Sequence, residues 1–307
     1  MNYDEFVKAV AAALEEEMHD NISIGINEVL HNNGRMHKGI SVHRKGYYAA
    51  PTVYLEAYYA EYLSGKSTEE IVMEIQELLC ELDWSPKVDP EWIRDYQSAK
   101  WRLIPRLISR EKNRELLGNM PYRSWMDLAV IFCLLLRTDE KTSMTMTVQN
   151  SHMREWQVTE NELYEMALSN ARCLVPAKLV PISDVLFGAG ERERNLLRET
   201  PAERERGKEE MEKNETMYVL TNEMQNYGAS CLLYPRVKEE IAEILGENYW
   251  VIPSSIHEML IVPECMGAGS RELQQMIREV NETQVLPEEV LGSHAYFYLS
   301  EKGLLSM

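Results

Sequence analysis

The run "LAVIFCLLL", residues 128–136, sets the first limit on the fold. It offers no polar face to water. It is also far shorter than the roughly 20 residues a membrane-spanning helix needs. It must therefore be buried inside protein, as a core strand or, alternatively, as a buried helix segment. "SMTMTVQN" follows closely and alternates Met144, Met146 and Val148, the period of a half-buried strand. The two stretches predict a hairpin near the middle of the chain.

Helical spacing dominates elsewhere. "NYDEFVKAVAAALEEEM" spaces Phe6, Val7, Val10, Ala13 and Leu14 as one apolar face with acids opposite. "NISIGINEVL" and "ISVHRKG" read as strands joined at Asn33-Gly34, a strong hairpin signal. A helix is expected from Pro51 through "TVYLEAYYAEYLSG", because proline suits a first helical turn. A second follows Ser67, which with Glu70 has the spacing of a capping box, as do Thr159 and Glu162 before "NELYEMALSNARCL". Asn150 or Ser151 is expected to cap a helix containing His152, and Ser270 one that follows Gly267 and Gly269. "SWMDLAVIFCLLL", "MYVLTN", "YWVIP", "IHEMLIVP" and "HAYFYLS" read as strands. Strand pairs interspersed with helices, with few strand-helix-strand repeats, predict an α+β fold with antiparallel or mixed sheets.

The expected organisation is a helix, hairpin and helix pair over residues 1–88, then a central region over 89–190. A charged linker or exposed helix over 191–216 precedes a C-terminal region over 217–307, and the central and C-terminal regions can form one domain. In the charged stretch, 16 of the 25 residues from Glu191 to Glu215 carry charge of both signs.

The chain carries 50 acidic and 32 basic residues, a formal net charge of -18. Such a field repels nucleic acid and anionic lipid unless a local basic patch overrides it. Arg102, Arg106 and Arg110 form only a short candidate patch, interrupted by apolar residues. The five cysteines are far apart, odd in number and never in a C-x-x-C pair. They read as reduced thiols of a cytoplasmic protein. No signal-peptide pattern opens the sequence, and neither membrane nor nucleic acid is expected as a partner.

The pair His257-Glu258 in "VIPSSIHEMLIVPE" opens the zinc-protease motif, but position 261 is isoleucine and the segment favours strand. On a strand the two side chains point to opposite faces and cannot work together on a metal. Ser254, Ser255, His257 and Glu258 remain catalytic candidates for a non-standard hydrolase site; the plainer reading is that they satisfy the backbone around a turn. His31, His37 and His43, with Glu28, are candidate metal ligands on the first hairpin. Tyr47, Tyr48, Tyr54, Tyr58, Tyr59 and Tyr62 either line a ligand groove or sit at a core boundary. No phosphate loop, dinucleotide fingerprint or nucleophile elbow is present. The expected function is non-catalytic binding with a possible protein partner and no cofactor, the hydrolase being the alternative.

Four blocks carry a family resemblance: "YYAAPTVYLEAYYAEYLSGKSTEEIV", "NRELLGNMPYRSWMDLAVIF", "WQVTENELYEMALSNARCL" and "VIPSSIHEMLIVPE". Together they resemble an uncharacterised domain-of-unknown-function family of Firmicutes proteins. The helix near Glu162, "YGASCLLYP" and the strand after "VIPSS" are more distantly similar to an uncharacterised bacterial family of the YtpQ type. The resemblance implies a bacterial cytoplasmic protein and carries over no site residue.

Overall fold

A computed structural model of the chain describes residues 1–17, 22–44, 52–81, 90–138, 143–187, 195–198, 217–267 and 269–306. The chain divides into two compact units, Met1–Ile93 and Arg94–Met307.

In the smaller unit, helix α1 (Tyr3–Glu17) turns Phe6, Val7, Val10, Ala11 and Leu14 inward. Strands β1 (Ile22–Leu30) and β2 (Met36–Arg44) pair antiparallel from Ile22↔Arg44 to Leu30↔Met36. The connecting loop turns through Asn33 (φ 60°) and Gly34 (φ 70°), the left-handed conformations that this dipeptide tolerates. Residues 52–54 correct the sequence reading. Thr52–Tyr54 form strand β3 on the other edge of β2, and helix α2 begins only at Glu56 (Glu56–Leu63). Thr, Val and Tyr favour a pleated edge. Gly39 opposite them leaves the room, since a Cβ there would lie 2.4 Å from Thr52 Cγ2. Helix α3 (Thr68–Glu81) opens as expected: Ser67 N–H donates to Glu70 Oε2 at 2.8 Å, and Glu70 N–H to Ser67 Oγ at 3.2 Å. Ile40, Val42, Ile71 and Ile75 complete the core under α1.

The division between the units falls in helix α4 (Pro90–Arg94), and α5 (Tyr96–Ala99) is capped by the Asp95 carboxylate. A four-stranded antiparallel sheet follows, built from β4 (Leu103–Ser109), β5 (Tyr122–Trp125), β6 (Leu128–Thr138) and β7 (Ser143–Thr147). Helix α6 (Arg114–Leu117) lies in the connection after β4. The apolar run is the central strand β6. Leu128 through Leu135 are all buried. β4 pairs along one edge, while β5 and then β7 occupy successive halves of the other. "SWMDLAVIFCLLL" is two strands rather than one. Met126, at φ 53°, and Asp127 turn the chain from β5 into β6.

Helix α7 (Asn150–Trp156) is capped by Gln149 rather than by Asn150 or Ser151. Gln149 N–H donates to His152 Nδ1 at 3.0 Å, so the imidazole takes the place a glutamate holds in a capping box. Helix α8 (Glu160–Leu174) has the expected Thr159–Glu162 box and packs on β4. Six strands then form one antiparallel sheet in the order β13-β12-β10-β11-β9-β8. They are β8 (Ala177–Pro181), β9 (Tyr218–Asn222), β10 (Tyr249–Ser255), β11 (Glu258–Pro263), β12 (Tyr296–Leu299) and β13 (Leu304–Ser306), with helices α9 (Ile182–Phe187), α10 (Val237–Leu245) and α11 (Ser270–Thr283) among them. Gly269, not Ser270, caps α11, its N–H donating to Glu272 Oε2 at 3.1 Å. Leu273 and Ile277 of α11 pack on Ile252, Val262 and Ala295. The architecture is α+β. Most of the charged stretch lies outside the described residues. Within it, Asn195–Arg198 form a turn held to β8 by Leu196 N–H donating to Leu179 O at 2.9 Å.

A 3-10 turn over Gly228–Leu233 packs against β9, and its first residue admits no side chain. A Cβ on Gly228 would stand 2.2 Å from Thr221 Oγ1 and 2.6 Å from both Asn222 N and His257 O. Gly228→Ala should lower stability by about 1–3 kcal/mol as backbone is forced to move, read by urea unfolding.

Candidate functional site

The 254–258 stretch is a hairpin tip. Ile256 and His257 make the turn, and β11 begins at Glu258, so His257 is not on the strand as its sequence suggests. Ser255 Oγ accepts His257 N–H at 3.0 Å, while Ser254 Oγ donates to Glu258 Oε1 at 3.2 Å. His257 Nδ1 accepts Tyr227 N–H at 3.2 Å. In the neutral ring this leaves the proton on Nε2, which faces Glu289 Oε1 at 3.3 Å. Thr221 Oγ1 donates to the His257 carbonyl at 2.8 Å. Both imidazole nitrogens thus tie the hairpin tip to neighbouring segments, and each serine bonds locally.

The hairpin histidines separate into two places. His31 and His37 pack at a tilt with ring centroids 4.5 Å apart, and Tyr54 sits edge-on to both. His37 Nδ1 lies 3.3 Å from Glu56 Oε2. His43 stands six residues further along β2, about 20 Å away at strand rise. Glu28 is engaged by Lys38 Nζ at 2.8 Å. Among the described residues, no group of three or more His, Cys, Asp or Glu is disposed to hold a metal ion.

The tyrosines divide as well. Tyr59 packs on Tyr3 and Phe6, Tyr62 on Phe6, and Tyr58 on the same core, while Tyr54 keeps company with the histidines. Tyr47 and Tyr48 lie outside the described residues. The three arginines of the β4 region also part. Arg102 donates to the Leu136 carbonyl, Arg106 is buried, and Arg110 reaches a cleft.

That cleft has a volume of ≈ 800 Å³ and was not apparent from sequence. Its size is that of a small-ligand site. Arg110, Lys112 and Arg114 line it from the connection after β4, beside Glu111. The buried Asn113 builds this connection by donating Nδ2–H to the Ser109 carbonyl at 2.8 Å. Asp127 and His294 also line it. Asp127 sits in the β5–β6 turn, and His294 two residues before β12. The segment carrying His294 lies close on the sheet: a Cβ on Gly292 would come within 3.2 Å of Pro253 Cγ. Asn281 of α11 holds it further, donating to the Gly292 carbonyl at 2.9 Å.

Asp127 is the junction. Its Oδ1 accepts the Tyr296 hydroxyl at 2.5 Å, and its Oδ2 lies 3.0 Å from His294 Nδ1. Tyr296 is fully buried, with Trp125 edge-on at 5.6 Å. Burial, and then the neighbouring Asp127 charge, hold its hydroxyl well above the usual tyrosine range, so it stays a donor. A carboxylate only accepts, so the proton on His294 sits at Nδ1 and the neutral ring presents a lone pair at Nε2. The His294 side chain is 48% exposed. Ser293 Oγ lies 3.4 Å from the same Nδ1, on the wrong nitrogen for a serine nucleophile activated by this ring. Asp127 and His294 are 167 residues apart, and neither belongs to a local motif.

Cys231 is wholly buried, and burial pushes its thiol up to about 12. No helix among the described residues is long and apolar enough to cross a membrane.

Residues 3–300 match the family of unknown function DUF5688, and the chain belongs to that family. No curated protein and no solved structure matches it.

The bonding of His257 gives a direct test. His257→Ala removes the acceptor for Tyr227 N–H and the donor to Glu289, and should cost about 1–3 kcal/mol of stability. Urea unfolding followed by circular dichroism measures it; an unchanged midpoint contradicts the bonding described.

Proposed function

We propose that this member of the DUF5688 family is a binding protein whose larger unit takes a small anionic ligand into the Asp127–His294 cleft. One observation carries the reading: Arg110, Lys112 and Arg114 line the same cleft in a chain whose net charge is -18. Three cations with Glu111 and Asp127 leave one positive charge in excess at this concavity, which against that background favours an anion there over the rest of the surface. Arginine pairs with carboxylate and phosphate groups through two parallel hydrogen bonds, so a ligand bearing either group fits. His294 Nε2 adds an acceptor for a ligand hydroxyl.

The hydrolase alternative moves to this cleft as well. An imidazole oriented by a carboxylate, with its second nitrogen open to a ligand, is the arrangement a general base requires. The Ser254–Glu258 hairpin supports a packing role instead, because its histidine has both nitrogens engaged. We infer a cytoplasmic location and a bacterial source. The five cysteines, odd in number, far apart and never in a C-x-x-C pair, support a reducing compartment. The kinship with the YtpQ type is likewise a proposal, resting on the blocks quoted for it.

Inorganic phosphate, pyrophosphate and citrate are the probes, read by thermal shift and calorimetry. At ten times its Kd a probe should stabilise the protein by about 1.4 kcal/mol, and less at high salt. The triple variant Arg110→Glu, Lys112→Glu, Arg114→Glu should lose that gain. Equal response of both proteins, or none from the wild type, overturns the reading. Hydrolysis of p-nitrophenyl phosphate that is lost in His294→Ala, with binding retained, selects the enzymatic version.

A further inference from the structure

Arg106 occupies an unusual position. It lies in β4, a strand buried along its whole length, and is itself 9% exposed. Its guanidinium sits over the Tyr227 ring, 3.5 Å from the centroid, and Nη2 donates to Thr145 Oγ1 at 2.7 Å. Its buried Nε has no hydrogen-bond partner. Among the described residues no carboxylate pairs with it. A buried cation needs a counter-charge, because removing it from water costs more than a neutral hydroxyl and an aromatic face return.

A small cavity adjoins this guanidinium. Its volume is ≈ 10 Å³, and Asn222, Tyr227 and Ser230 line it together with Arg106. No acidic residue is part of the lining. Asn222 and Ser230 are almost fully buried. Asn222 donates one amide hydrogen to the Asn226 carbonyl at 2.8 Å, which leaves a second. Such a space has room for a body near the size of one water and none for a phosphate or carboxylate ligand.

We propose that this cavity is a monatomic-anion site that binds chloride as the counter-ion of Arg106, with Arg106 Nε–H and the Asn222 amide as donors. The anion completes the charge of the β4 interior and stabilises the loop from Asn222 to Ser230 against the sheet. It is separate from the anionic cleft and does not depend on it.

The test compares the thermal unfolding of the full chain in potassium chloride and potassium gluconate at equal ionic strength, with crystals grown in sodium bromide. Chloride should raise the midpoint by about 2–4 °C, the shift of a modest stability gain in a protein of this size. Bromide should give an anomalous peak beside Arg106 Nε. Arg106→Met should unfold at the same temperature in both salts; should that variant fail to fold, the wild-type salt comparison and the bromide peak decide alone. Equal wild-type midpoints together with water alone in the cavity overturn the proposal. So does a chloride effect that survives intact in Arg106→Met.

Discussion

One half-buried hydrogen bond, from the Tyr296 hydroxyl to Asp127, joins two sheets of the larger unit. Asp127 belongs to the turn between two strands of the central sheet, and Tyr296 opens a strand of the six-stranded one. The bond fixes the end of one sheet against the other. Because Tyr296 holds one carboxylate oxygen, the other is left to orient His294. A single shared carboxylate thus sets the ring orientation of His294 at the cleft. A hydrogen bond to a charged acceptor is about twice as strong as a neutral one, and it is shielded from water on the tyrosine side.

Two histidines show how far residue type falls short of role. His257 stands in a suggestive sequence, next to a glutamate and behind two serines, yet its ring spends both nitrogens on Tyr227 and Glu289. His294 stands in an ordinary sequence and lines a cleft, its Nδ1 against Asp127. The same holds for arginines spaced four apart. Arg102 bonds a carbonyl at the surface, Arg106 is sealed in the core, and Arg110 reaches the cleft. Side-chain spacing on a strand gives direction, but what covers each position comes from elements distant in sequence.

Local signals were legible where local physics decides. The Ser67–Glu70 and Thr159–Glu162 boxes, the Asn33-Gly34 loop, the pairing of 143–147 with the apolar strand and the α+β class all follow from residues close in sequence. The misread places have identifiable causes. Thr52–Tyr54 became a strand because Gly39 made room for it, which only the pairing reveals. Met126 turns the chain with a positive φ that sequence assigns to glycine. His152 caps α7 with its ring, a job usually given to a carboxylate. The cleft was invisible because its walls come from the loop after β4, the β5–β6 turn and the segment before β12, brought together only by packing.

The most direct measurement is a double-mutant cycle on Asp127→Asn and Tyr296→Phe, with stabilities from urea unfolding. If the shared carboxylate anchors the two sheets, the two substitutions together should cost less than the sum of the singles by about 1.5–3 kcal/mol. Costs that add to within about 0.5 kcal/mol would contradict it.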